Sequence, residues 1–143
     1  MNVTLKKLSA DAIIPAQGSP YAAGYDLYAC LDAPVTIQPF HTAKIPTGLS
    51  MSLPDGFAGL IYARSGLATK NGVRPANCVG LCDADYRGEY IVALHNDSTE
   101  PYTVNHGDRI AQLVIAPVAH VNFIEGDLGT TERGDGGFGS TGR

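Results

Sequence analysis

Residues 42–54 read TAKIPTGLSMSLP, and residues 89–96 read EYIVALHN. Both partly alternate apolar with polar side chains, the period-two signature of a half-buried strand. Similar segments recur on either side. They are short, rich in Val, Ile, Thr, Tyr and Leu, and broken by Gly, Pro and Asp or Asn. Strands are predicted near 2–8, 24–31, 34–38, 43–53, 57–63, 73–83, 89–95, 101–104 and 109–121. SLPDGF (52–57) is expected to turn, with Pro and then Asp-Gly where turns place them. DADYRGE (83–89) is expected to be the turn of a hairpin, and one short helical turn is expected after ARSGLA (63–68). Many short strands at regular spacing predict an all-β sandwich or barrel of the jelly-roll type.

The chain has 143 residues, a length that fits one domain and buries a core without disulfides. With 44% hydrophobic and 17% charged residues, the body of the chain is not of disordered composition. A formal charge of −4 argues against a general nucleic-acid coat, and a polyanionic ligand would need local arginines instead. The cysteines are Cys30, Cys78 and Cys82. An odd count without a signal peptide predicts a reducing cytoplasm. No apolar run at the N-terminus is long enough for a membrane span. Cys78 and Cys82 lie four apart, but His41, His95, His106 and His120 are scattered, so buried or half-buried thiols are favoured over zinc.

The last stretch, RGDGGFGSTGR (133–143), admits several explanations. GDGGFG formally matches G-x-G-x-x-G, but that fingerprint needs a strand before it and a helix after it. Here it closes an all-β chain, and the match is accidental. RGD as an adhesion tripeptide would require an extracellular protein. Glycines that allow close backbone approach, a ring that can stack on a base, two hydroxyls and Arg133 together describe a strap closing over a nucleotide polyphosphate.

Four other polar islands interrupt the strand-like sequence: AGYDLYA (23–29), ARSGLA (63–68), NCVGLCDADYRGE (77–89) and GDRIAQLVI (107–115). Arg64, Ser65 and Gly66 offer a guanidinium, a hydroxyl and backbone N–H groups, which suit a phosphate. Taken alone, they are better explained by a solvated surface turn. Asp83 and Asp85 could offer a general base, but taken alone they are better explained as the acids that turns favour. Gln112 sits among apolar residues and needs a partner in the core, in another subunit or in a ligand.

In order and spacing, the five islands resemble the five motifs of the trimeric dUTPase family, over about residues 5 to 142. The resemblance implies a jelly-roll-like subunit of a homotrimer. The β domain would span 1–132, and a mobile glycine-rich strap, 133–143, would close over a site shared between chains. It implies hydrolysis of dUTP to dUMP and pyrophosphate, which limits uracil in DNA and supplies dUMP for dTTP synthesis. Asp83 would be the base that deprotonates the attacking water. Asp26 would hold Mg²⁺ through water, while the substrate phosphates carry most of the metal's ligation.

Asn77, Gly80, Leu81, Cys82 and Asp83 would read the uracil edge. Tyr86 would pack beneath the deoxyribose, and Ile91 would add a contact. Arg64, Ser65, Gly66 and Gln112 would bind phosphates. Arg133, Gly139, Ser140 and Thr141 would join them from the tail, with Phe138 capping the base. The sequence departs from the family pattern at Ala63, Cys82 and Asp135. No nucleic-acid or membrane partner is expected. The rival functions are a dCTP deaminase on the same fold, for which Glu89 is the available glutamate, and an inert nucleotide-binding trimer.

Overall fold

The computed structural model describes residues 1–77 and 79–137. Its regular secondary structure is almost entirely strand: β1 (Thr4–Lys7), β2 (Ala16–Gln17), β3 (Tyr25–Tyr28), β4 (Val35–Ile37), β5 (Thr42–Pro46), β6 (Leu49–Ser52), β7 (Phe57–Tyr62), β8 (Val73–Pro75), β9 (Gly80–Cys82), β10 (Ile91–Asn96), β11 (Tyr102–Val104) and β12 (Arg109–Pro117). One helix, α1 (Ser65–Asn71), separates β7 from β8. The largest sheet has the order β2-β3-β12-β7-β9, and smaller sheets pair β5-β10-β8, β1-β6 and β11-β4. All strand pairs are antiparallel. The predicted jelly-roll-like, all-β architecture is what forms.

Apolar residues from every sheet meet in one core, with Leu27, Ile45, Leu49, Val73, Leu94 and Ile110 almost wholly buried. The alternation in β10 does this directly. Val92 and Leu94 point inward while Ile91 is exposed. Asn96 is buried too, but its amide donates to the Ile37 and Glu100 carbonyls at 3.1 and 2.7 Å, so no polar group there goes unpaired.

Several predicted boundaries change. The strand expected over 43–53 is two strands in two sheets. Gly48 adopts φ +67 between them, and a Cβ there would sit 2.9 Å from both Ala12 Cβ and Cys30 Sγ. Only glycine fits that corner. The strand expected over 73–83 likewise splits into β8 and β9, again in separate sheets. Residues 83–89 therefore do not close a hairpin ladder; they carry the chain from the β9 sheet to the β10 sheet. β12 ends at Pro117 rather than 121, because its partner β7 begins at Phe57 opposite it. The two-residue β2 was not anticipated, since both of its residues are exposed and show no alternation. The expected helical turn extends to Asn71. Gly72, at φ +66, then stops it by donating its N–H to the last-turn carbonyls.

Among the described residues, no helix is long and apolar enough to cross a membrane.

Candidate functional site

The predicted residues gather in two neighbourhoods. The first is a cleft of about 210 Å³ lined by Ile61, Asn77, Gly80, Leu81, Cys82, Asp83, Tyr86, Glu89, Tyr90 and Ile91. Every residue assigned to base and sugar recognition outside the tail is in this set. β9 forms one wall. Among the described residues it is an edge strand, paired with β7 in the register Gly59↔Cys82 and Ile61↔Gly80. Its outer edge therefore leaves backbone donors and acceptors unpaired, the arrangement a flat heterocycle can read. Gly80 keeps this wall uncrowded, since a Cβ would lie 3.1 Å from Ile61 Cβ and 3.3 Å from the Asn77 amide nitrogen.

The loop beneath the cleft is tied to residues 47–50. Thr47 donates its hydroxyl to the Tyr90 carbonyl at 2.6 Å, and the Tyr90 N–H donates to the Leu49 carbonyl at 2.8 Å. Ser50 donates its hydroxyl to the Arg87 carbonyl at 2.8 Å, and the Gly48 N–H donates to Glu89 Oε1 at 2.7 Å. Asp83 itself is exposed, with its carbonyl accepting the Tyr86 N–H at 3.2 Å. Burial raises the Cys82 thiol above its ordinary value, so it is a neutral wall and not a nucleophile. Tyr90 is 1% exposed, and its hydroxyl sits beside the Cys82 thiol; burial, and then Cys82, hold that hydroxyl in its neutral form.

The second neighbourhood centres on Asp26 of β3. Its carboxylate is nearly buried and accepts from Arg64 Nε at 3.0 Å and from an Arg109 guanidinium nitrogen at 3.3 Å. Gln112 of β12 lies between Asp26 and Tyr62 in the register. Its neighbours Ala111 and Leu113 face the core, so Gln112 faces away from it. No hydrogen bond occupies its amide among the described residues, so the core does not supply its partner. Arg64 immediately precedes α1, and Ser65 and Gly66 begin the helix, both exposed. A Cβ on Gly66 would meet nothing within 4 Å, so nothing inside the chain requires glycine there.

β3 and β9 are three strand spacings apart in the sheet, about 14 Å. Arg133 joins neither group, as its Nε donates to the Gly136 carbonyl at 2.9 Å. Phe138, Gly139, Ser140 and Thr141 lie outside the described residues, as does Cys78. Among the described residues, no three His, Cys, Asp or Glu side chains are grouped to hold a metal.

Sequence reasoning gave no role to Arg109, although GDRIAQL contains it, and left Glu89 only as a rival's glutamate. A cation two residues after a loop Gly was the available signal for the first. Nothing local signals the second, whose partner lies forty-one positions away.

The sequence model of the dUTPase family matches residues 10–142. The chain is 46% identical over 144 residues to the deoxyuridine 5'-triphosphate nucleotidohydrolase of Syntrophotalea carbinolica, covering 99% of this chain and 97% of that protein. It is 48% identical over 147 residues to the enzyme of the same name from Burkholderia lata, covering 100% and 99%. Its fold is similar to that of a point mutant of the phage 80alpha dUTPase, with a TM-score of 0.89, 28% identity, and 97% and 98% of the two chains covered. The Staphylococcus bacteriophage 80alpha dUTPase with dUPNHPP is similar as well, with a TM-score of 0.84, 29% identity, and 99% of each chain covered.

Proposed function

The chain belongs to the dUTPase family, and from that premise we propose how its own residues carry out the reaction. It is a dUTP diphosphatase, hydrolysing dUTP to dUMP and pyrophosphate. The observation that carries the mechanism is the cleft at the free edge of β9 with Asp83 in its lining.

Uracil lies against β9, where backbone groups and Asn77 pair with its edge. Cytosine would put an amino donor against a donor, leaving buried groups unpaired. The methyl of thymine would press on the cleft wall. Tyr86 supports the deoxyribose and leaves no room for a 2′-hydroxyl, while Ile91 packs beside it. Asp83 accepts a proton from a water whose oxygen bonds to the α-phosphorus. The bond from that phosphorus to the bridging oxygen breaks, and pyrophosphate departs with the electron pair. Arg64, Ser65, Gly66 and Gln112 hold the phosphates. In their neighbourhood two guanidiniums face one carboxylate, and the surplus positive charge suits a polyanion.

Mg²⁺ bound with the substrate would offset the charge of its phosphates, and Asp26 would hold it through water. Asp26 fits a contact through water: each oxygen accepts from one guanidinium and keeps a lone pair. Direct ligation beside two cations is not favoured.

The working unit is a homotrimer in which chains share sites. Three features support this. The two neighbourhoods lie apart within one chain, Gln112 makes no side-chain hydrogen bond among the described residues, and a Cβ on Gly66 would meet open space. Val121, Phe123, Ile124 and Leu128 of the C-terminal arm are 62–97% exposed, an apolar display that calls for cover. An apolar groove of about 540 Å³, lined by Val3, Leu5, Ile14, Met51, Leu113 and Ile115 among others, offers room for such an arm. The β domain is 1–132, and the strap 133–143 brings Arg133 and Phe138 to a site on other chains. Glu89 lines the cleft and accepts the Gly48 N–H on Oε1, a bond that holds the loop and supports a structural role over a deaminase's glutamate. The enzyme works in the cytoplasm, keeping uracil out of DNA and supplying dUMP for dTTP synthesis.

The test is pyrophosphate release with Mg²⁺ from dUTP, dTTP, dCTP and UTP in parallel. Release from dUTP alone is expected. Ammonia from dCTP would move the chain to the deaminase branch, and silence on all four would leave a binding site without chemistry.

A further inference from the structure

Tyr86 does not stand free over its loop. A Cβ built on Gly88 would lie 2.3 Å from the Tyr86 hydroxyl oxygen, 2.5 Å from Cζ and 2.8 Å from Cε2. These separations are shorter than any real carbon contact. Gly88 is not among the positive-φ positions, so its backbone does not demand glycine; the ring above it does. The Tyr86 hydroxyl donates to the Glu89 carbonyl at 3.1 Å, which folds the ring back along its own loop. On the inner side stands Tyr90, with ring centroids 6.0 Å apart and planes tilted by 49°.

The backbone below cannot yield. It is pinned on both sides of Gly88 by the bonds from residues 47–50 to Arg87, Glu89 and Tyr90. Tyr86, by contrast, is 44% exposed and can swing. A methyl at position 88 must therefore move the ring and spare the loop.

We propose that Gly88 is a specificity-determining residue: its missing side chain seats the Tyr86 ring at the height that admits a deoxyribose and rejects a ribose. The inference rests on the proposed placement of the sugar on Tyr86. Glu89 and residues 47–50 act as positioning groups by holding the floor beneath the ring.

The test is a double-mutant cycle of Gly88→Ala and Tyr86→Ala, read by KM and kcat on dUTP and UTP, by thermal midpoint, and by crystal structures of wild type and Gly88→Ala. Gly88→Ala is expected to fold, to shift the ring, to raise KM for dUTP about tenfold with a smaller change in kcat, and to narrow the preference for dUTP over UTP. In the Tyr86→Ala background the same change should have less than about a twofold effect, because the ring it displaces is gone. Unchanged dUTP preference in Gly88→Ala, or two substitutions whose effects simply multiply, would overturn the proposal. If Gly88→Ala fails to fold, recovery of the fold by adding Tyr86→Ala supports the seat, and no recovery refutes it. Wild-type protein silent on dUTP would instead refute the function on which the inference rests. The ring position in Gly88→Ala then still decides the seat: displaced upholds it, unmoved contradicts it.

Discussion

The cleft at β9 and the charge cluster at β3 are built in opposite ways. In the proposed reading the walls of the cleft come from one chain. Its reading edge is backbone, its floor is pinned by hydrogen bonds to residues 47–50, and its reactive candidate Asp83 is exposed. The charge cluster is unfinished. Two guanidiniums share one carboxylate, Gln112 has no partner among the described residues, and Gly66 borders open space. A neutral, planar base is recognised by geometry, which a rigid strand edge supplies alone. A triphosphate is recognised by charge that is costly to leave uncompensated, so its site is completed on arrival of the ligand.

Changes on the two sides should therefore fail differently. Asp83→Asn should lower kcat by about a thousandfold while dUTP still binds and the thermal midpoint stays put, because the side chain is exposed and holds nothing together. Steady-state rates beside calorimetric binding check this; wild-type-like turnover would remove Asp83 from the mechanism. Deleting residues 133–143 should cost about a hundredfold in activity and leave the folded assembly intact, since the strap only closes the site. Light scattering and rates together decide, and a monomeric product would make the strap structural.

Asp26→Asn should strike stability first. With the carboxylate gone, Arg64 and Arg109 face each other without a counterion, at a cost of about 1–3 kcal/mol in denaturant unfolding. An unchanged midpoint would show that the cluster does not depend on this pair.

The smallest effect belongs to the cleft wall. Burial raises the Tyr90 hydroxyl and the Cys82 thiol, so both stay protonated in the folded chain where the unfolded chain ionises them. Their contribution is complete below the ordinary thiol value of 9.0 and is lost as pH rises beyond it. Tyr90→Phe should change stability at neutral pH by less than about 1 kcal/mol, because the buried hydroxyl it removes has a thiol, a weak hydrogen-bonding group, beside it. It should also flatten the alkaline decline. A steeper decline in the variant would contradict the assignment.

What the sequence made legible follows the same division. Period-two alternation located β5, β6 and β10, and the motif residues of the cleft were all named before their meeting place was visible. Sheet membership was not legible. The corner at Gly48 depends on Ala12 and Cys30, and residues 83–89 look like a hairpin turn until β9 and β10 are seen to have different partners. Arg109 and Glu89 escaped for a related reason. Each acts through a residue distant in sequence, Asp26 for one and Gly48 for the other. For Gln112, composition showed only that a partner was needed; the register turned its side chain away from the core.

In the proposed homotrimer, cleft and charge cluster complete one another across chains. Subunits carrying Asp83→Asn and subunits carrying Arg64→Ala, each inactive alone, can be unfolded together and reassembled. The proposed sharing predicts that the mixture regains a substantial part of wild-type dUTP hydrolysis, because some sites then combine an intact cleft with an intact cluster. A mixed assembly as inactive as its two parents would place both halves of the site on the same chain and contradict the account.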